Sequence, residues 1–443
     1  MDIEQALHSL RLRALEAIEY AHKLGIEQAE VGVSYDEGLA TSVRLGELES
    51  VERQRDHSFA VTVYDKGHKG SASTSEFSKA AIEKTISKAI SIASFTAEDR
   101  FSGLLGPEFM AKNPRDLFLY HPWDIGVEQA EIIALRAEKA AQDIDPRIKN
   151  SEGASVSTGC GVRVYANSHG FCEGYPTSSH SVTCGAVAEQ NQSLERDYWY
   201  TAARDPKELE EPEKVGADAA SRALRRLDAK QISTCNVPVV FPAELARSLF
   251  GHLIAAITGT SQYRKASFLL DAKGTQIFPE FIEVIEDPLI PKAMGSAPFD
   301  NEGAATSQRK LIEQGVLTGY VLSSYSAKRL GLKTTANAGG IHNLIVKPNA
   351  GSLSSILKKR TELFLVGELL GQGVNTVTGD YSRGAAGFWV QDGQVSFPVN
   401  EVTIAGNLSE IFKGIRAVGS DKDKRGNIHC GSLLVEGLTV AGK

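Results

Sequence analysis

Ala29-Glu-Val-Gly-Val-Ser-Tyr35, Ala40-Thr-Ser-Val-Arg-Leu45 and Ser58-Phe-Ala-Val-Thr-Val-Tyr64 decide the fold class. In each run apolar residues alternate with polar ones, the period of a half-buried β-strand. Gly38, Gly46 and Gly67 predict turns between and after these strands. Upstream, Ile3, Ala6, Leu7, Leu10, Ala14, Ala17, Ile18 and Ala21 recur at helical spacing. Downstream, Ala81, Ile82, Ile86, Ala89 and Ile90 do the same within a helix predicted from Ser78 to Ser94. Helix, meander and helix predict a compact α+β unit over residues 1–97.

The 443-residue chain is too long for one ordinary core and calls for two or three domains. Residues 98–122, with Pro107, Pro114 and Pro122 and little periodicity, read as a linker or crossover. A middle α+β unit is expected over 123–230. It has a helix from Val127 to Gln142, strands between Ala154 and Ala203, and a helix from Glu211 to Leu227. Residues 231–443 read as a Gly-rich, β-dominated C-terminal domain. Its short strands include Val237–Phe241, Leu363–Val366 and Val402–Ala405, with a turn read at Gly406-Asn407. Asp392-Gly393, between Gly387-Phe-Trp-Val390 and Gln394-Val-Ser-Phe397, is a hairpin signal. The fold class is therefore α+β throughout.

Composition removes several functions. Hydrophobic residues make up 42% and charged residues 23%, the balance of a globular protein. No run of about eighteen apolar residues is present to span a bilayer. Met1-Asp-Ile-Glu-Gln opens acidic, unlike a secretory signal, and five cysteines without a CxxC pair suit reduced thiols. The cytoplasm is the expected compartment. Net charge is −7. The short basic clusters Arg225-Arg226 and Lys358-Lys359-Arg360 lie close to acidic residues and read as solvated helix faces. Direct nucleic-acid binding is not expected.

Most catalytic signatures are absent. The sequence has no Gly-x-Ser-x-Gly elbow, no Walker loop and no His-Glu-x-x-His. His252 falls in an apolar helix from Pro242 to Ile257 and reads as a core histidine with a bonded ring nitrogen. His342 lies in Gly339-Gly-Ile-His-Asn-Leu-Ile-Val, just before a strand, where structural and functional readings are balanced. His429-Cys430 is an adjacent pair with soft-ligand character, too few ligands alone for zinc.

Four segments in order carry a resemblance. They are Thr335-Ala-Asn-Ala-Gly-Gly-Ile-His-Asn343, Gly379-Asp-Tyr-Ser-Arg-Gly-Ala-Ala-Gly-Phe-Trp-Val390, Pro398-Val-Asn-Glu-Val-Thr-Ile-Ala-Gly-Asn-Leu408 and Asn427-Ile-His-Cys-Gly-Ser432. Together they resemble the PmbA (TldE) branch of the TldD/PmbA peptidase family, over nearly the whole chain. In the TldD branch the resemblance implies a zinc peptidase, with a His-Glu-x-x-x-His helix and a cysteine near the C-terminus as third ligand. Matched on the Val-Val-Phe strand, the following helix and Gly259, this chain has Phe250, Gly251 and Ala255 at those positions. Cys430 falls roughly where the third ligand sits, and is the one metal candidate.

The resemblance implies an accessory subunit, without catalytic residues or cofactor of its own, for a cytoplasmic zinc-dependent peptidase acting on small unfolded peptides. The zinc is expected in a TldD-like catalytic partner, and a homodimer when that partner is missing. His342, Asn343, Asp380, Tyr381 and Arg383 are candidates for peptide or partner contact, with Gly379–Gly384 read as a loop balanced against a tight turn feeding the Phe388-Trp389 strand. Two rivals stand beside this reading: an active metalloprotease, and a non-enzymatic regulator of the gyrase-modulator type.

Overall fold

The computed structural model describes residues 2–443. The alternating runs zip into one six-stranded antiparallel sheet, ordered β3-β2-β1-β4-β5-β6. Its strands are β1 (Gln28–Arg44), β2 (Glu47–Asp65), β3 (His68–Thr74), β4 (Ile148–Asn167), β5 (Cys172–Gln190) and β6 (Ser193–Ala203). The β1·β4 pairing joins the two N-terminal stretches of sequence into that single sheet. The turn expected at Gly38 does not form. Gly38 sits inside β1 opposite Gln54 and Gly159, where a Cβ would come 3.2 Å from the Thr158 carbonyl oxygen. This glycine permits a close strand approach instead of a reversal. The reversal falls at Leu45-Gly46, both at positive φ, and the Glu138 carboxylate accepts both of their N–H groups at 2.8 Å.

Four helices cover one face of this sheet: α1 (Ile3–Lys23), α2 (Lys79–Ala93), α3 (Val127–Asp143) and α4 (Pro212–Leu224). The buried β1 residues Ala29, Val31, Val33 and Val43 are all odd-numbered and so point to that face. α1 and α2 pack over one end and α3 and α4 over the other, as two separate apolar clusters. Asp2 and Ser78 cap the first two helices by accepting from the N–H groups of Gln5 and Ala81. α3 meets α4 through Ala130, Ala134 and Ala137 against Val215, Gly216 and Ala219, residues small enough for close backbone approach.

The C-terminal part holds two more sheets. Its strands are β7 (Cys235–Asn236), β8 (Val239–Phe241), β9 (Val284–Glu286), β10 (Arg309–Glu313), β11 (Val316–Leu317), β12 (Leu344–Val346), β13 (Glu362–Leu370), β14 (Asp380–Gln391), β15 (Gln394–Asn407), β16 (Ile415–Val418), β17 (Ile428–His429), β18 (Leu433–Val435) and β19 (Thr439–Ala441). Eight form one sheet, β16-β18-β8-β13-β14-β15-β19-β7, and five the other, β11-β10-β9-β12-β17. Helix α5 (Ala243–Ile257) contributes its apolar face to the core they share. The β14–β15 hairpin turns at Asp392 and Gly393, both with positive φ. At Gly406-Asn407 the expected turn is instead the end of β15, where Asn407 caps a short helix, Leu408–Lys413.

Arg225 is exposed, but Arg226 is not on a solvated face. The end of α4 abuts the C-terminal sheets, so Arg226 pairs with Glu195 and Asp197 of β6 and with Glu368 of β13. Arg225 stacks 5.1 Å over the Phe388 ring. Arg222 bridges Asp197 and Glu244 of α5. The irregular stretch after α2 also bridges the molecule: Leu105 and Met110 pack with Tyr165 and Phe171 of the large sheet region and with Phe299 and Ala304.

Candidate functional site

β8 feeds directly through Pro242 into α5, whose buried side chains Ala246, Leu249, Phe250, Leu253, Ala256 and Ile257 recur at helical spacing. Phe250 is 1% exposed and stacks on Phe278, which in turn stacks on Phe412. Gly251 and Ala255 lie on the other side. A Cβ at Gly251 would meet nothing within 4 Å, and Ala255 is exposed. Residues five apart on a regular helix point about 140° apart, and here one lies in the aromatic stack and the other at the surface. These side chains do not fit a zinc site, because none carries a donor atom and only one faces the interior. Among the described residues, no group of three or more His, Cys, Asp or Glu is arranged to hold a metal ion.

His252 departs from its expected role. Its ring sits edge-on to Tyr381 with centroids 6.1 Å apart, but its buried Nε2 has no hydrogen-bond partner. Burial, with the nearby Arg383 charge, pushes its pKa down and favours neutral imidazole. Cys430 is fully buried beside α5's core face. Burial, reinforced by Asp421, drives its thiol well above the usual range. His429 is half-buried, with Nε2 3.0 Å from the Gly426 carbonyl oxygen.

His342 and Asn343 lie in the interior. His342 Nδ1 is 2.9 Å from Glu286 Oε1, and the His342 backbone N–H donates to the same oxygen. Asn337 also donates to Oε1, while Arg309 donates to Oε2 at 2.7 Å. Burial alone would raise the Glu286 carboxyl. The His342 contacts and the Arg309 charge outweigh it and hold the carboxyl at about 2. Asn343 is fully buried. It accepts from Gly295 N–H and donates to Ser296 Oγ and the Asp287 carbonyl, bracing the 287–296 loop. Sequence reasoning missed Glu286, Arg309 and Asn337. The available signal was a carboxylate two residues from Val284, at an inward-facing position of a short apolar strand.

The Gly379–Gly384 stretch is not a loop. Gly379 turns at φ +85°, and from Asp380 onward the chain is β14, paired with β15 from Asp380 and with β13 from Gly384. Asp380 is exposed and accepts from Thr378 Oγ1 at 2.6 Å. Tyr381 is 1% exposed, its phenol pushed up to about 12 chiefly by burial, and its hydroxyl has no partner. Arg383 is half-buried, donating to the Leu369 carbonyl.

A roomy recess lies elsewhere. A cleft of about 1020 Å³ opens between the six-stranded sheet and the C-terminal sheets. Its walls include Trp199, Arg204, Lys292, Met294, Lys424 and His429. Arg204, 9% exposed, donates to the carbonyls of Ala293, Met294 and Ser178, stitching the two halves together at the cleft wall.

Comparison with known proteins followed the chain from end to end. Models of PmbA/TldA metallopeptidase domain 1, central domain and C-terminal domain match residues 29–93, 120–227 and 234–442. Metalloprotease PmbA of Escherichia coli O157:H7 is 46% identical over 94% of this chain and 92% of its own length. A homologue of metalloprotease PmbA from Haemophilus influenzae is 43% identical, covering 98% and 96%. A crystal structure from Bacteroides thetaiotaomicron, named for a proposed role as modulator of DNA gyrase, superposes with a TM-score of 0.92 at 26% identity, over 97% of this chain and 98% of that one. TldE of Thermococcus kodakarensis has the same fold, with a TM-score of 0.87 at 20% identity, over 97% and 100%.

Proposed function

The chain belongs to the PmbA/TldD metallopeptidase family, and we propose that within it this chain is the accessory, non-catalytic subunit of a cytoplasmic zinc-dependent peptidase. The zinc resides in a TldD-like partner, and the substrates are small unfolded peptides. The observation that carries this reading is Phe250. Where the catalytic branch needs a histidine, this chain places a phenylalanine in a three-ring stack with Phe278 and Phe412. A glycine at 251 removes the general base, and the buried Cys430 thiol belongs to no group of three or more possible metal ligands among the described residues. The cleft beside Arg204 is open enough to admit an extended chain, and strand edges accept almost any sequence through main-chain bonding.

The name metalloprotease borne by the bacterial relatives favours a second reading, in which this chain cleaves peptides itself. The gyrase-modulator name favours a third, a regulator acting through protein contacts, since a net charge of −7 opposes phosphate binding. Elemental analysis and peptidase assays on the chain alone, then with a TldD-like chain, separate them. The expected outcome is no stoichiometric zinc and no cleavage alone, with both appearing in the mixture. Stoichiometric zinc in the lone chain, lost together with cleavage in Cys430→Ala, would overturn the accessory reading.

A further inference from the structure

Among the described residues six buried side-chain nitrogen or oxygen atoms have no hydrogen-bond partner, and three of them fall together: His252 Nε2, Tyr381 Oη and Arg383 Nε. Such atoms are rare in folded proteins, and a group of them asks for one common explanation. Tyr381 and Arg383 stand two apart on β14, so their side chains leave the same face of the strand. That face meets α5, where the His252 ring lies edge-on to Tyr381. Arg383 is close enough to act on both. Its charge adds to burial in lowering His252 and works against the burial that raises the Tyr381 phenol. The neighbours on β15 and in the preceding strap are apolar: Ile404 is the β15 partner of Arg383, and Val374 bridges to Tyr381. Arg383 donates to the Leu369 carbonyl at 3.3 Å and forms no ion pair with a carboxylate among the described residues.

The three groups have one capacity in common, which is to donate. Arg383 Nε carries a hydrogen at any ordinary pH. The Tyr381 phenol, pushed up to about 12, keeps its proton, and a neutral imidazole can hold its hydrogen on Nε2. Three donors beside a guanidinium without a counter-charge select a negatively charged acceptor over a neutral one. The burial of all three atoms selects a small one, since a bulky anion or a chain end would have to part α5 from the sheet. We propose that His252, Tyr381 and Arg383 form a binding site for a small monovalent anion of chloride size, which ties α5 to β14. The site is independent of the peptidase reading. It gives α5, the helix that resembles the zinc-binding helix of the catalytic branch, an anchor made of charge instead of metal.

Thermal melting of the full-length chain in sodium chloride, and in sodium gluconate at equal ionic strength, tests it. Wild type should gain about 2–3 °C for each tenfold of chloride above the dissociation constant and show no such gain in gluconate. Tyr381→Phe removes one hydroxyl that no protein group bonds. It should lose most of the chloride response, melting below wild type in chloride and no lower than wild type in gluconate. Arg383→Met should lose the response altogether. Crystals soaked in bromide should show an anomalous peak beside Tyr381 Oη, weakened in Tyr381→Phe. A wild-type melting temperature indifferent to chloride would overturn the site even with a bromide peak, which would then mark an adventitious ion only. A Tyr381→Phe chain that keeps the full chloride response, or soaked crystals without the peak, would overturn it as well.

Discussion

Glu286 is the residue on which the interior of the C-terminal part turns. It is 2% exposed and bonded by His342, Asn337 and Arg309. Its folded-state pKa of about 2 lies below the unfolded value of about 4.3. The stabilisation is therefore fully present above the unfolded value and drains away as pH falls from there towards 2. Glu286→Gln keeps the shape but leaves the partly buried Arg309 charge without its counter-charge, which costs about 3 kcal/mol, the low end for a buried pair. Denaturant midpoints for wild type and variant should differ by that much at neutral pH and converge at the acid end. Equal midpoints at neutral pH would show that the network is not holding this region. His342 and Asn343 appeared in the sequence as contact candidates because their glycine-rich approach is visible there. That their polar atoms are spent inside the core was not visible, since Glu286 and Arg309 are separated from them by long stretches of chain.

At the scale of elements, close approach decides more than propensity. A Cβ added at Gly216 of α4 would lie 1.9 Å from the Ala137 carbonyl oxygen of α3. Alanine is the better helix former by about 1 kcal/mol, yet overpacking of this kind costs about 1–3 kcal/mol, and here the obstacle is backbone that cannot rotate away. Gly216→Ala should therefore be a net loss, read as a lowered thermal midpoint with unchanged helical signal. A raised midpoint would mean that the helices part without cost. The periodicity of apolar residues predicted α1 to α5 because it is a property of each segment alone. β1 and the Gly379–Gly384 stretch escaped that logic. Gly38 and the glycines of β14 look like turn residues locally, whereas their role is to let neighbouring strands or side chains approach.

For the whole molecule, the contact between the six-stranded sheet and the C-terminal sheets runs through the arginines of α4. Arg226, with its side chain 15% exposed, meets Glu195 and Asp197 on one side and Glu368 on the other. Arg226→Ala should leave each half folded but loosen their coupling, so that calorimetry resolves two unfolding transitions where wild type shows less separation. An unchanged profile would place the coupling in the apolar strap around Met110 and Phe299 instead. By itself the sequence determined the α+β class, the positions of helices α1 to α5, the Asp392-Gly393 hairpin and the family, because each rests on local periodicity, turn chemistry or contiguous motifs. It also showed that Phe250, Gly251 and Ala255 carry no donor atoms, since that is a matter of residue type. Only the tertiary structure decided that the first two stretches of chain share one sheet, and that Arg226 is a buried bridge and not a solvated cation. Those facts depend on which distant segments meet, and the free energy of such meetings is set by packing and by charges brought together from far apart in the chain.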